Sequence, residues 1–105
     1  MDFSASAINV VDQLDTPRKH YRLIEQLEAS STSVALNISE GKGRFSKKEF
    51  RQYLYIAGGS LYETIGMLQI LKKKNWLNES HYEKLYFQAE EISRMISGLI
   101  NSIKV

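Results

Sequence analysis

The chain has 105 residues, 43% apolar and 25% charged, with a formal net charge of +2 and no cysteine. That suffices for one domain of ordinary soluble composition, 1–105, and excludes disorder as well as disulfides and thiolate metal sites. No apolar run approaches the roughly 18 residues of a membrane span, and Met1-Asp2-Phe3-Ser4 lacks the features of a signal peptide, so a cytoplasmic protein with no membrane partner is expected.

Apolar residues recur at spacings of three and four throughout, the mark of helices with one buried face. Phe3, Ala7, Val10 and Leu14 predict a short helix near 4–15. Pro17, the only proline, follows Thr16 as a first helical residue follows its cap. From there Ile24, Leu27, Ser31, Val34 and Ile38 carry a helix over 17–40. A third helix over 47–73 aligns Phe50, Leu54, Ala57, Leu61, Leu68 and Leu71. Asn75-Trp76-Leu77-Asn78 interrupts it, and Asn78 can cap a fourth over 79–103, whose seam is Tyr82, Leu85, Ala89, Ile92, Ile96, Leu99 and Ile103. No stretch alternates with a period of two. The expected fold is all-α, an antiparallel up-down-up-down four-helix bundle, because short connections make sequential helices antiparallel neighbours. Its first helix is about half the length of the others and cannot cover them, so apolar surface is expected to stay open and to favour an oligomer.

The corner between the second and third helices is the densest stretch. Gly41 stands where a left-handed residue would close a helix. Ser46 and Glu49 form an S-x-x-E capping box. Between Lys42 and Arg51 lie five basic residues (Lys42, Arg44, Lys47, Lys48, Arg51) and one acid, Glu49, a local charge of +4 against −2 for the remainder. These cations could contact phosphates or form a merely solvated surface. Arg18-Lys19-Arg22 and Lys72-Lys73-Lys74 fall at the opposite end, where lysines also suit a helix C-terminus. Tyr21, Tyr53, Tyr55, Tyr62, Tyr82 and Tyr86 could stack on bases, although tyrosines at helical spacing more often pack.

A second, small and polar stripe runs along the same two helices: Leu23, Gln26, Ser30, Ser33, Asn37 and Glu40 on one, Tyr53, Ile56, Ser60, Glu63, Met67 and Ile70 on the other. Folding about Gly41–Phe45 pairs Gln26 with Glu63, Ser30 with Gly59, and Ser33 with Ile56 and Ala57. Ala29, Ser30 and Ser33 would then meet Ala57, Gly58, Gly59 and Ser60 in a close crossing, with Gln26 or Ser60 bonded to Glu63. A tight seam and a ligand site in that seam are both open.

Catalysis is not expected, nor a metal or other cofactor. A di-metal bundle needs glutamate three residues before each histidine, but Pro17 and Asn78 stand there before His20 and His81. A nucleophilic triad needs a histidine by a serine and an acid, and both histidines fall near helix ends.

The run Asn37-Ile38-Ser39-Glu40-Gly41 with Gly43-Arg44, Ser46, Glu49-Phe50, Ile56-Ala57, Gly59-Ser60-Leu61 and Glu63, together with Gln26, Ser33 and Leu99, resembles the signature of the bacterial four-helix-bundle proteins named after 23S rRNA intervening sequences. The resemblance covers about residues 20–103 and implies a structural role for Gln26, Ser33, Asn37, Glu40, Gly41, Gly43, Gly59, Ser60 and Glu63. It also implies a homopentameric ring without catalytic activity. Distant relatives serve diversity-generating retroelements and bind nucleic acid, which implies RNA or DNA as a partner. The chain departs from the pattern at Glu28 and Ala29, where arginines are usual, and at Gly58, usually basic. Two functions follow: a homo-oligomer binding nucleic acid through the Lys42–Arg51 corner, or a protein–protein assembly module.

Overall fold

The computed structural model describes residues 3–12 and 21–104. Four helices follow one another: α1 (Phe3–Asp12), α2 (Tyr21–Lys42), α3 (Lys47–Lys73) and α4 (Glu79–Ser102). The Thr16–Pro17 start, Leu14, Arg18, Lys19 and His20 lie outside the described residues. Among those described, α1 packs on α2 and α4, α2 on α3, and α3 on α4, a cyclic order that gives the bundle. Neighbours are antiparallel: Ser30 meets Thr64 while Ser33 meets Ser60 across α2 and α3.

The expected seams meet inside. Phe3, Ala7, Leu27, Val34, Leu54, Ala57, Leu61, Leu68, Leu71, Leu85, Ala89, Ile92 and Ile96 are buried, with Val10, Ile24, Ile38, Phe50, Tyr82, Leu99 and Ile103 packed against them. Fully burying one large aliphatic side chain contributes about 1.5–3 kcal/mol. Three polar residues, Ser30, Ser31 and Thr64, join this core. Ser31 donates to the Glu28 carbonyl at 3.1 Å and its own carbonyl accepts from Ser4, tying α1 to α2. Thr64, the residue that breaks the apolar rhythm between Leu61 and Leu68, is fully buried. Its hydroxyl donates to the Ser60 carbonyl and contacts Ser30 Oγ, both at 2.8 Å, and Ser30 in turn reaches the Leu27 carbonyl at 3.2 Å.

Helix ends follow their caps. Ser46 Oγ accepts from Glu49 N–H at 3.3 Å and Asn78 Oδ1 from His81 N–H at 2.7 Å. The left-handed closure expected at Gly41 is found elsewhere. No described glycine has positive φ, and the residue that does is Asn75, at 61°. There Trp76 N–H bonds the Leu71 carbonyl and Asn75 N–H the Lys72 carbonyl, each at 3.0 Å, which is a Schellman closure with asparagine in the glycine's position.

Gly41 remains helical and buried, because α2 continues to Lys42. It is glycine for lack of room: a Cβ there would lie 2.8 Å from both Phe50 Cδ1 and Tyr53 Cβ on α3. This contact slides α3 about one turn from the expected register, so Ser30 meets Thr64 rather than Gly59, and Ser33 meets Ser60 rather than Ile56 and Ala57. The close crossing therefore excludes the glycine pair. Gly59 is exposed, and a Cβ there would have nothing within 4 Å, while Gly58 faces Ile96 of α4 at 4.0 Å.

The two glycines should respond oppositely to alanine. Gly41→Ala forces Phe50 and Tyr53 away and should cost about 1–3 kcal/mol. Gly59→Ala adds a methyl to open space in a helix interior and should stabilise by about 0.5–1 kcal/mol. Thermal unfolding reads both, at about 4–8 °C per kcal/mol for a domain near this size. Thr64→Val keeps the shape but removes the buried hydroxyl, and should lower stability by about 0.5–1.5 kcal/mol in the same assay.

Candidate nucleic-acid interface

The corner is built from the last turn of α2, a loop over 43–46, and the first turns of α3. Gly43 N–H reaches the Ser39 and Glu40 carbonyls at 3.3 and 3.2 Å, and Arg44 N–H the Gly41 carbonyl at 3.1 Å, so the helix winds down through the loop. Gly43 is exposed, and a Cβ there would make only ordinary contact, 3.5 Å from the Glu40 carbonyl.

The five expected cations divide into three kinds. Arg44 is engaged: its Nη2 donates to Glu40 Oε1 at 2.5 Å and to Tyr53 Oη at 2.8 Å, and its guanidinium lies 5.1 Å from the Tyr53 ring centroid. Tyr53 first, then Glu40, raise its pKa above the ordinary arginine value. Arg51 is half-buried, and its Nε is buried without a hydrogen-bond partner among the described residues. Lys42, Lys47 and Lys48 are exposed and enter no ion pair among the described residues. Beside them Phe45, apolar and at the loop tip, is fully exposed.

Of the polar stripe, Ser33, Asn37 and Ser60 lie half-buried along the outward side of the α2–α3 seam, whereas Ser30 and Met67 are buried. Asn37 Nδ2 donates to the Ser33 carbonyl and Oγ, each at 2.8 Å, and Ser33 Oγ meets Ser60 Oγ at 3.0 Å. Gln26 and Glu63 are exposed on the rim of a shallow depression floored by Ala29, Ser30, Ser33 and Ser60. Ser60 thus bonds Ser33 across the seam and not Glu63. Of the departures from the family pattern, Glu28 is half-buried and Ala29 exposed, whereas Gly58 belongs to the α3–α4 side.

At the opposite end Lys72 reaches Glu79 at 3.5 Å and lies 4.5 Å above the Tyr82 ring, which stacks on Tyr86 at 5.9 Å. These tyrosines pack. Two apolar openings flank α4. The larger trough, about 560 Å³, lies between α2 and α4, lined by Val34, Ala35, Ile38, Ile92 and Met95 with Lys42 and Glu91 at its edge. The smaller, about 210 Å³, lies over Gly58 and Gly59 between Tyr55 and Tyr62. No helix among the described residues is long and apolar enough to cross a membrane.

Sequence reasoning misses Thr64, Tyr53 as the partner of Arg44, and Phe45. The signals are present: a hydroxyl at a core position, a tyrosine nine residues after the arginine, and one aromatic in a basic loop.

Among solved structures, a protein of unknown function from the S23 ribosomal protein family of Bacteroides thetaiotaomicron is similar to this chain. It has a TM-score of 0.87 and 25% identity over 95% of this chain and 93% of that one. The curated proteins contain no match. The family described as 23S rRNA-intervening sequence protein matches residues 1–98, all four helices nearly to the end of α4. The chain belongs to the 23S rRNA-intervening sequence protein family.

Proposed function

We propose that this chain is a cytoplasmic, non-enzymatic protein that self-associates as a ring of five and binds RNA or DNA through the corner between α2 and α3. One observation carries the binding. Lys42, Lys47 and Lys48 are exposed and unpaired among the described residues, and two of them, Lys47 and Lys48, stand on the first turn of α3. That end of a helix is positive, so lysines there are disfavoured by the same order, about 0.3–1 kcal/mol, by which acids are favoured. A phosphate bound at the corner reverses the sign. Repeated around a ring, three weak contacts per subunit become a multivalent surface.

Self-association is supported by the trough beside α1. Among the described residues, the 10 of α1 cover part of the gap between α2, of 22, and α4, of 24. Val34, Ile38, Ile92 and Met95 line what stays open. The same trough supports the second reading, a module that assembles with another protein and uses no nucleic acid.

Light scattering at micromolar concentration should give the mass of a pentamer, and a monomer there would remove the ring. Changing Lys47 and Lys48 to alanine should leave that mass unchanged, and the triple change with Lys42 should raise thermal stability by about 0.5–2 kcal/mol, because two cations leave the positive end of α3. The triple change should also abolish most nucleic-acid binding and reduce the slope of log K against log salt by about 2–3 per bound corner. Parent-like binding by the triple variant would exclude the corner. No binding by the parent at low salt would favour the assembly module.

A further inference from the structure

Phe45 has no structural explanation of the usual kind. It directly precedes the cap Ser46, and in that position an apolar residue commonly packs on the fourth residue of the helix as a hydrophobic staple. That residue is Phe50. Here Phe50 is turned onto Gly41, where its Cδ1 takes the space of a missing β-carbon, and Phe45 is left fully exposed. Leu36, Ile56 and Phe87, also exposed, lie on helix flanks where neighbours cover part of each side chain. Phe45 presents its whole ring to solvent from a short loop fixed by the Ser39, Glu40 and Gly41 carbonyls behind it.

We propose that Phe45 is a stacking platform for an unpaired base, so that the corner takes single-stranded rather than double-stranded nucleic acid. This rests on the nucleic-acid reading above and names the form that is bound. Proteins that hold single strands combine cations along the phosphates with aromatic rings under the bases, and such stacking is tolerant of sequence because every base has a π-face. Both components are present at one loop, with Lys42 before Phe45 and Lys47 and Lys48 after it. A duplex keeps its base faces covered by their neighbours, so it can use the lysines but not the ring. An apolar pocket on a second copy could also receive Phe45. The trough beside α4 would offer one carboxylate, Glu91, to three lysines, whereas a phosphate chain can neutralise each of them.

The test is anisotropy titration of the full chain with labelled oligouridine of about 20 nucleotides and with a blunt RNA duplex of the same length, at several salt concentrations. The parent should bind the single strand more tightly. Phe45→Ala should weaken that binding about 5- to 150-fold and leave both duplex affinity and the salt slope unchanged. Phe45→Trp should restore it. Because the Phe45 side chain packs on nothing, the substitution should not alter thermal unfolding. Equal loss on both forms, no loss on either, or a fall in oligomer mass with Phe45→Ala would each overturn the stacking role. Failure of the parent to bind either form would instead overturn the nucleic-acid reading on which it rests.

Discussion

Helices α2 and α3 touch where Gly41 has no side chain, and the rest of the corner depends on that contact. With a β-carbon at 41 excluded by Phe50 and Tyr53 at 2.8 Å, the register of α3 on α2 is set within a fraction of a turn. Tyr53 then stands where the Arg44 guanidinium can both bond its hydroxyl and lie over its ring. Further along, the same register brings Ser33 to Ser60 and Ser30 to Thr64, so that hydroxyls entering the seam find partners. A buried hydroxyl without a partner would cost about 1–3 kcal/mol. One missing methyl group thereby decides which polar groups can be buried.

The contrast between α1 and its neighbours follows from a different constraint. Phe3 and Ala7 fill the trough between α2 and α4 completely at their own level. α1 is anchored there by Ser4 on the Ser31 carbonyl, and Ser6 lies 3.5 Å from Gln88 of α4. Ten residues extend only about 15 Å along a trough flanked by helices more than twice as long. Val34, Ile38, Ile92 and Met95 continue the same apolar seam beyond the described residues of α1. An interface placed there needs no feature other than the one that builds the core.

Much of this is legible in the sequence. The three-and-four rhythm locates α3 at its observed ends and α4 to within a residue, because apolar periodicity and the caps Ser46 and Asn78 are local signals. Register is not legible, since it depends on which small residue of one helix faces which large residue of the next. Gly41 illustrates the ambiguity: glycine near a helix end is equally suited to a left-handed turn and to close approach, and only the neighbour decides. Here the neighbour is Phe50, and the left-handed turn goes to Asn75. The adjacent pair Gly58 and Gly59 reads in the sequence as a close crossing, yet both turn toward the α4 side or to solvent. The polar stripe is legible as a stripe but not as to its partners, which is what a shift of one turn produces.

The candidate interface inherits its form from these constraints. Arg44 is taken up by Glu40 and Tyr53, so it braces the loop and adds little free charge at the surface. Arg51 is half-buried further along α3. What remains free is Phe45, on a loop whose backbone amides are already bonded at 43 and 44, and three lysines on the helix ends beside it. Rigidity matters for such a small surface, because each side chain or loop ordered on binding costs about 0.5–1.5 kcal/mol that three exposed lysines cannot easily offset. A flexible corner with the same composition would bind less well. Phe50 is turned onto Gly41 and away from Phe45, so the exposure of Phe45 goes with the close approach of α3 to that glycine. Core geometry and surface chemistry meet at that one glycine.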